Sequence, residues 1–374
     1  MAARPNEFDR GTRQVVVALY RKGAGEGMAA VDIDGSYLEG GGQILRTAVG
    51  LAAATGRPCR IFNIRKGRRT PGLAAQHLAG VRAVAQLCAA RVEGAEIGST
   101  ELTFRPGPLE PPPTVSVRVG TAGSVTLVLQ ALMIPLAVAG TPVEVTVTGG
   151  THVRWSPTAD YFRDVFAWFL GRMGTGVEVL EVRPGFYPKG GGRVRVAVGP
   201  GQLGPLVLTE RGNFKRTTAH SIAALPLAKA RVAQRQLAGA GEVLQTDASE
   251  FDYVQSPSVG TAVHLTAEYE NCRLGASALG ERGKPAEKVG REAARSLQRL
   301  MAGEACLDEH VADQLLPYMA LAGGTSRVRV AAVTDHCRTS IWVIEQFLPA
   351  RFELPVPSAV EGGEQRGVIA CSGR

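Results

Sequence analysis

Aromatic residues are scarce in this chain, at 6% of its 374 positions. Cysteines number six, at 59, 88, 272, 306, 337 and 371, with no C-x-x-C pair among them. That scatter excludes a disulfide scaffold and a zinc ribbon, and it leads to an expectation of reduced thiols in the cytoplasm. Runs of eighteen apolar residues are absent, so neither a transmembrane helix nor a membrane partner is expected. The opening MAARPNEFDRGTRQ has no apolar stretch followed by a small-residue cleavage site, so no secretory signal is expected either. The Lys-containing glycine stretches RKGRRT and PKGGGR do not place G-K-[ST] in a Walker frame. H-E-x-x-H, G-x-S-x-G and a G-x-G-x-x-G behind a strand are also missing, which removes the commonest nucleotide-binding and hydrolase folds.

Glycine, by contrast, is abundant at 46 residues, with 45% hydrophobic and 20% charged positions. This is a globular composition. The 42 basic side chains exceed the 34 acidic ones by 8. A surplus of that size points to an anionic partner such as nucleic acid, nucleotide or a membrane surface. The length suggests two or three domains, or one domain built from repeats.

The chain repeats itself. GGQILRTAVGLAAATGRPCRIFNI (41–64), AGSVTLVLQALMIPLAVAGTPVEVTVTG (122–149) and EHVADQLLPYMALAGGTSRVRVAAVT (309–334) share one plan. In each, an apolar helix ends at a glycine and is followed by a β-branched strand. The glycine suits a left-handed cap. A second helix follows each segment, at 73–90, 158–173 and 338–348, and then a further strand. The predicted fold is therefore α/β (α+β): three βαβαβ-type units with a small α/β domain inserted before the last. The expected boundaries are an extension of unknown role at 1–27, repeats at 28–206 and 305–356, an insert at 207–304 and a tail at 357–374. Met28 could serve as an alternative start.

Several residues stand out as candidate chemistry. Glu39-Gly40-Gly41-Gly42-Gln43 opens a helix whose free N–H groups would attract phosphate, and Gln43 and Arg46 share its face. Arg57, Arg60, Arg65, Lys66, Arg68 and Arg69 crowd one stretch with no acid between them. Arg65 to Arg69 follow the first repeat's strand, where α/β folds often bind ligands. Gln130 interrupts an apolar helix; it is either a satisfied buried amide or a ligand contact. His310 begins a helix that carries Asp313 and Gln314 one turn later. His336 lies between a strand and a helix start. A helix N-terminus disfavours imidazolium, leaving the ring neutral and nucleophilic, although a plain turn residue fits the same position. A Cys337–His336 protease dyad is disfavoured, because adjacent side chains rarely face each other with a third orienting group behind.

Taken in order, DGSYLEGGGQILR, IRKGRRTPGLAAQHL, GTAGSVTLVLQ, GFYPKGGG and HVADQLLPYMALAG resemble the RNA 3′-terminal phosphate cyclase family, from about residue 31 to about residue 355. The resemblance implies three repeats of a unit like the C-terminal domain of translation initiation factor 3, interrupted by a small α/β domain. It implies an ATP-dependent ligase, forming a phosphoric-ester bond, that converts an RNA 3′-phosphate to a 2′,3′-cyclic phosphodiester. His336 matches the nucleophile that would carry AMP. Gln130 and the run His310, Val311, Ala312, Asp313 and Gln314 match ATP contacts. Glu39, Gln43, Arg46, Arg65 and Arg68 match polar groups around the reaction centre, and Asp313 with Glu39 would face a divalent metal, Mg or Mn. The implied partner is an RNA with a 3′-phosphate end; the oligomeric state is open between monomer and homodimer. Some relatives with this fold lack the nucleophile and act in ribosome assembly, which His336 argues against. An enolpyruvyl-type transferase fits poorly, since that class has six repeats and needs no histidine nucleophile.

Overall fold

The computed structural model describes residues 29–356 and 365–373; the expected extension 1–27 lies outside them. The first repeat runs β1 (Val31–Asp34), α1 (Gly42–Thr55), β2 (Cys59–Phe62), α2 (Ala75–Leu87), β3 (Arg91–Glu93) and β4 (Leu102–Arg105). The second runs β5 (Thr114–Arg118), α3 (Val125–Ala139), β6 (Val143–Gly149), α4 (159–172), β7 (Val177–Arg183) and β8 (Gly192–Val198). Helix α4 widens to a π-type turn at Phe162–Phe166.

The third repeat begins with β9 (Val207–Leu208). An inserted unit follows: β10 (Phe214–Ala224), α5 (Val232–Gly241), β11 (Ala248–Val254), β12 (Thr261–Tyr269), β13 (Arg273–Leu279) and α6 (Ala286–Ala302). The repeat then resumes with α7 (Glu309–Leu321), β14 (Gly324–Val330), α8 (Asp335–Phe347), β15 (Arg351–Glu353) and β16 (Gly367–Gly373).

Each repeat folds into its own four-stranded sheet, in the orders β1-β2-β4-β3, β5-β6-β8-β7 and β9-β14-β16-β15. The first two strands pair in parallel and the rest antiparallel every time. The insert makes a fourth sheet, β11-β10-β12-β13. The class is mixed α/β, with no closed barrel among the described residues.

Four details depart from the expected plan. Every repeat closes with two strands rather than one, so the unit is βαβαββ. In the first two repeats the turns of these hairpins are Gly-rich or loosely patterned, which conceals one strand of each pair. Val207–Leu208, expected inside the insert, pairs with Arg327 and Val328 of β14. Residues 367–373, expected as tail, pair along the other side of β14; in both cases β14 has backbone donors and acceptors on two edges to satisfy. The third expected left-handed cap is also absent. Gly56 and Gly140 cap α1 and α3 at φ 71, whereas α7 ends at Ala322 with φ −72 and ψ 136.

Packing follows from composition. Helix α3, VTLVLQALMIPLAVA, is apolar nearly all round and is buried nearly all round. It crosses α1 at Gly50, where a Cβ would sit 2.9 Å from Ile134 Cδ1. Only a glycine allows that approach. Helix α8 packs on α1, so the start of the third repeat's last helix lies against the start of the first repeat's first helix. One hydrophobic core runs through all three repeats and into the insert.

Candidate active site

The crossing of α8 on α1 brings His336 to Gln43. His336 does not precede its helix, as expected, but occupies the first turn. Thr334 is the N-cap, its Oγ1 accepting from Cys337 N–H at 3.2 Å, so the helix starts three residues earlier than the apolar pattern alone suggests. The loop before it is held by Val333 N–H, which donates to Gln365 O at 2.7 Å.

His336 Nδ1 faces two acceptors. Glu39 Oε2 lies 2.9 Å away, and Gln43 Oε1 accepts from the same nitrogen. An ionised carboxylate only accepts, so Nδ1 carries the proton and Nε2 keeps its lone pair. Partial burial lowers the imidazole pKa, Glu39 opposes this, and Arg46 and Arg68 reinforce it. The ring is still 49% exposed.

Gln43 orders the other side. Its Nε2 lies 2.9 Å from Asp313 Oδ2, 3.0 Å from the His336 carbonyl and 2.6 Å from Ser340 Oγ. Burial raises the Asp313 carboxyl to about 7, with Arg46 pulling it down. Burial lowers Arg46 to about 10, with Asp313 opposing. Gln43, Arg46, Gln130, Asp313 and Gln314, together with Tyr318 and others, line one cavity of about 30 Å3. The Tyr318 hydroxyl and Gln314 Oε1 are buried there without a hydrogen-bond partner among the described residues.

The basic loop closes the rim. Arg65 sits at φ 54 and turns a guanidinium nitrogen back onto Gly72 O at 2.7 Å. Arg68 Nη2 would lie 3.2 Å from a Cβ at Gly41, against the glycine run. His77 lies beneath that run; its Nδ1 accepts from Ala74 N–H at 3.2 Å. Burial, with Arg46 and Arg65 nearby, lowers its pKa to about 3. A neutral ring under the helix start keeps the rim's positive charge on the arginines.

The five-residue run at 310–314 divides. Asp313 and Gln314 reach the cavity. Val311 and Ala312 are core residues, and their N–H groups are taken by Asp308. His310 points outward, its ring edge-on to Tyr161 at 6.2 Å. Sequence reasoning passed over Ser340, Tyr318 and His77. Ser340 was within reach, being four residues after His336 and so on the same helix face. Tyr318 likewise follows Gln314 by four.

Neither carboxylate completes a metal cage by itself: among the described residues no group of three or more His, Cys, Asp or Glu is disposed to hold a metal ion. Two carboxylates do suit a magnesium-type ion that takes its remaining ligands from water and phosphate oxygens.

A tripled βαβαββ unit with an inserted sheet defines a mixed α/β protein of repeated architecture, in which a histidine stands among arginines, carboxylates and amides. The chain belongs to the RNA 3′-terminal phosphate cyclase family, whose profile matches residues 37–354. It is 46% identical over 342 residues to the RNA 3′-terminal phosphate cyclase of Methanopyrus kandleri, covering 87% of this chain and 96% of that protein. Its counterpart in Pyrococcus furiosus is 44% identical, with 86% and 94% covered. That of Nitrosospira multiformis is 46% identical, with 86% and 93% covered. No helix among the described residues is long and apolar enough to cross a membrane.

Proposed function

We propose that this chain uses ATP to convert an RNA 3′-phosphate into a 2′,3′-cyclic phosphodiester, with His336 as the covalent carrier of AMP. The observation that carries this reading is the pinning of His336 Nδ1 between Glu39 and Gln43. With the proton held on Nδ1, the Nε2 lone pair attacks the ATP α-phosphorus and pyrophosphate leaves. The imidazole is then positively charged, and Glu39 stabilises it. An oxygen of the RNA 3′-phosphate next displaces the histidine and becomes adenylylated. The neighbouring 2′-hydroxyl then attacks the RNA 3′-phosphorus, gives its proton to solvent water and expels AMP. Adenylylation supplies the leaving group that a phosphate monoester lacks, and the last step is intramolecular.

Arg46, Arg65 and Arg68 hold phosphate oxygens. Gln130, Gln314 and Tyr318 form the floor under the nucleotide; a space of about 30 Å3 admits a water but not a base, so ATP lies over that floor. Val311 and Ala312 shape it from the core side. Glu39 and Asp313 would hold Mg or Mn with the triphosphate, and that ion would neutralise the charge developing on the phosphates.

The test is transfer of label from α-labelled ATP. The wild-type chain takes an acid-labile label; His336→Ala and His336→Asn take none while keeping the fold. Labelling of either variant overturns the assignment and turns attention to His310. A wild-type chain that takes no label belongs with the inactive, ribosome-assembly relatives instead.

A further inference from the structure

A wide opening lies away from His336. It is a cleft of about 720 Å3 on the insert, between β13 and α6, lined by Ser277, Glu281, Lys284, Glu292, Arg295 and Arg299 among others. Its charges do not cancel. Lys284 is paired with Glu292, and Glu281 is engaged by Arg154 of the second repeat at 2.8 Å. That leaves Arg295 and Arg299 exposed, without a carboxylate partner among the described residues; Arg299 meets only the Ser296 hydroxyl. They stand four apart on α6, which places their stems about 6 Å from each other on one face.

The Arg154–Glu281 pair ties the cleft's rim to the loop 150–158, and the next residue of that loop is Trp155. Its side chain is 92% exposed, and its backbone sits at φ 60, a conformation uncommon for a bulky residue. The neighbouring turn presents Tyr187, 75% exposed. The two loops are hydrogen-bonded through Thr151 and Gly185. Exposed large rings and unpaired cations are the two features that single-stranded nucleic acid uses: stacking for its bases and positive charge for its phosphates.

The cleft also connects to the site. Ser277 Oγ meets Thr158 Oγ1 at 3.1 Å. Thr158 caps α4, whose Tyr161 hydroxyl donates to Asp308. Asp308 caps α7, the helix that delivers Asp313 to Gln43.

We infer that this cleft, with Trp155 at its rim, holds the RNA strand on the 5′ side of the reacting end: Arg295 and Arg299 bind successive phosphates and Trp155 stacks on a base. The inference rests on the cyclase reading for its choice of RNA. It assigns to the insert the grip on the strand and leaves bond making to the repeats.

The test uses the full chain and a fluorescent single-stranded RNA with a 3′-phosphate, long enough to cross the cleft, beside a dinucleotide 3′-phosphate. Affinity is read by anisotropy without ATP. Trp155→Ala, which removes no buried packing, weakens the long RNA roughly 5- to 150-fold. Arg295→Glu with Arg299→Glu weakens it further and lowers the log–log salt slope by roughly 1.4, the value for two phosphate contacts on a single strand. Cyclisation of the dinucleotide and AMP labelling of the protein stay at wild-type level in both variants. Unchanged affinity and salt slope for the long RNA overturn the cleft while leaving the cyclase reading in place, as does an equal loss on the dinucleotide. If the wild-type chain takes no AMP, the cyclase reading fails, and the same anisotropy series still decides whether the cleft binds RNA.

Discussion

Gln43 Nε2 donates to Ser340 Oγ at 2.6 Å although 297 residues separate them. The bond joins the first helix of the first repeat to the last helix of the third, one turn after His336. A single amide thereby fixes the His336 ring through its oxygen and the His336 turn through its nitrogen.

Gln43→Ala is accordingly expected to slow AMP transfer to the protein on the order of 10²-fold, the scale of losing positional control by about an ångström. Ser340→Ala costs less, and the double variant loses less than the two single losses combined, because both act through one contact. Single-turnover labelling at saturating ATP reads the rate directly. A loss that vanishes when ATP is saturating would place Gln43 in nucleotide binding instead.

Gly42→Ala tests the packing under the phosphate rim. A Cβ at Gly42 would lie 2.1 Å from His77 Nε2, so the buried imidazole must move and surrender its bond from Ala74. The expected cost is about 1–3 kcal/mol, read as a lowered denaturation midpoint. His77→Ala in that background should restore part of the loss. A Gly42→Ala chain as stable as wild type would contradict the contact.

Stability should depend on pH through His220. Its Nδ1 lies 3.3 Å from Asp160 and its Nε2 2.9 Å from Asp252, with His152 and Arg163 also on Asp160. Asp160 foremost, then Asp252, raise the His220 pKa to about 9. A folded value above the unfolded one means the contribution is complete below about pH 6.5 and fades as pH rises through 9. It amounts to at most about 3 kcal/mol. Denaturation midpoints of the wild type should fall across that window, and those of His220→Gln should fall less. Parallel curves would exclude His220 as the group responsible.

RNA ends should be sorted by chemistry rather than sequence. A 3′-hydroxyl end offers no oxyanion to accept AMP and should not react. A 2′-deoxy terminus bearing a 3′-phosphate should accept AMP and then stall, because the ring-closing hydroxyl is missing. Matched oligonucleotides, with AMP capture and ring closure followed separately, make the comparison. Turnover of a 3′-hydroxyl end, or closure without a 2′-hydroxyl, would sink the mechanism.

Much of this architecture was legible because the helices carry strong periodic signals. GGQILRTAVGLAAAT and VTLVLQALMIPLAVA announce themselves, and their glycine caps follow. One strand of each closing pair was hidden, the first in the first repeat and the second in the other two. GRVRVAV alternates cleanly but follows the glycine-rich turn of PKGGG, and RVE is three residues long. The strand Val207–Leu208 is two residues long and has meaning only once β14 lies beside it. Within the site, Glu39, Gln43, Arg46, Asp313 and His336 were visible as polar groups in otherwise apolar or glycine-rich settings. What no linear reading supplies is the crossing of α8 on α1, so the Gln43–Ser340 bond and the acceptors of His336 Nδ1 emerge only in three dimensions. The exposed Trp155 was equally silent, since exposure is a property of the fold.

The three repeats place the same connection, from second strand to second helix, at three points of the molecule. In the first repeat it is the loop 63–74, with Arg65 and Arg68. In the second it is the loop 150–158, with Arg154 and Trp155. In the third it is the turn 331–334, which delivers His336. On the proposed reading, one architectural position, present in triplicate, carries phosphate-binding side chains, a strand-gripping ring and a nucleophile in separate copies. Such a layout is modular: a new preference for RNA ends or strands could be written into one copy while the reacting histidine stays untouched in another.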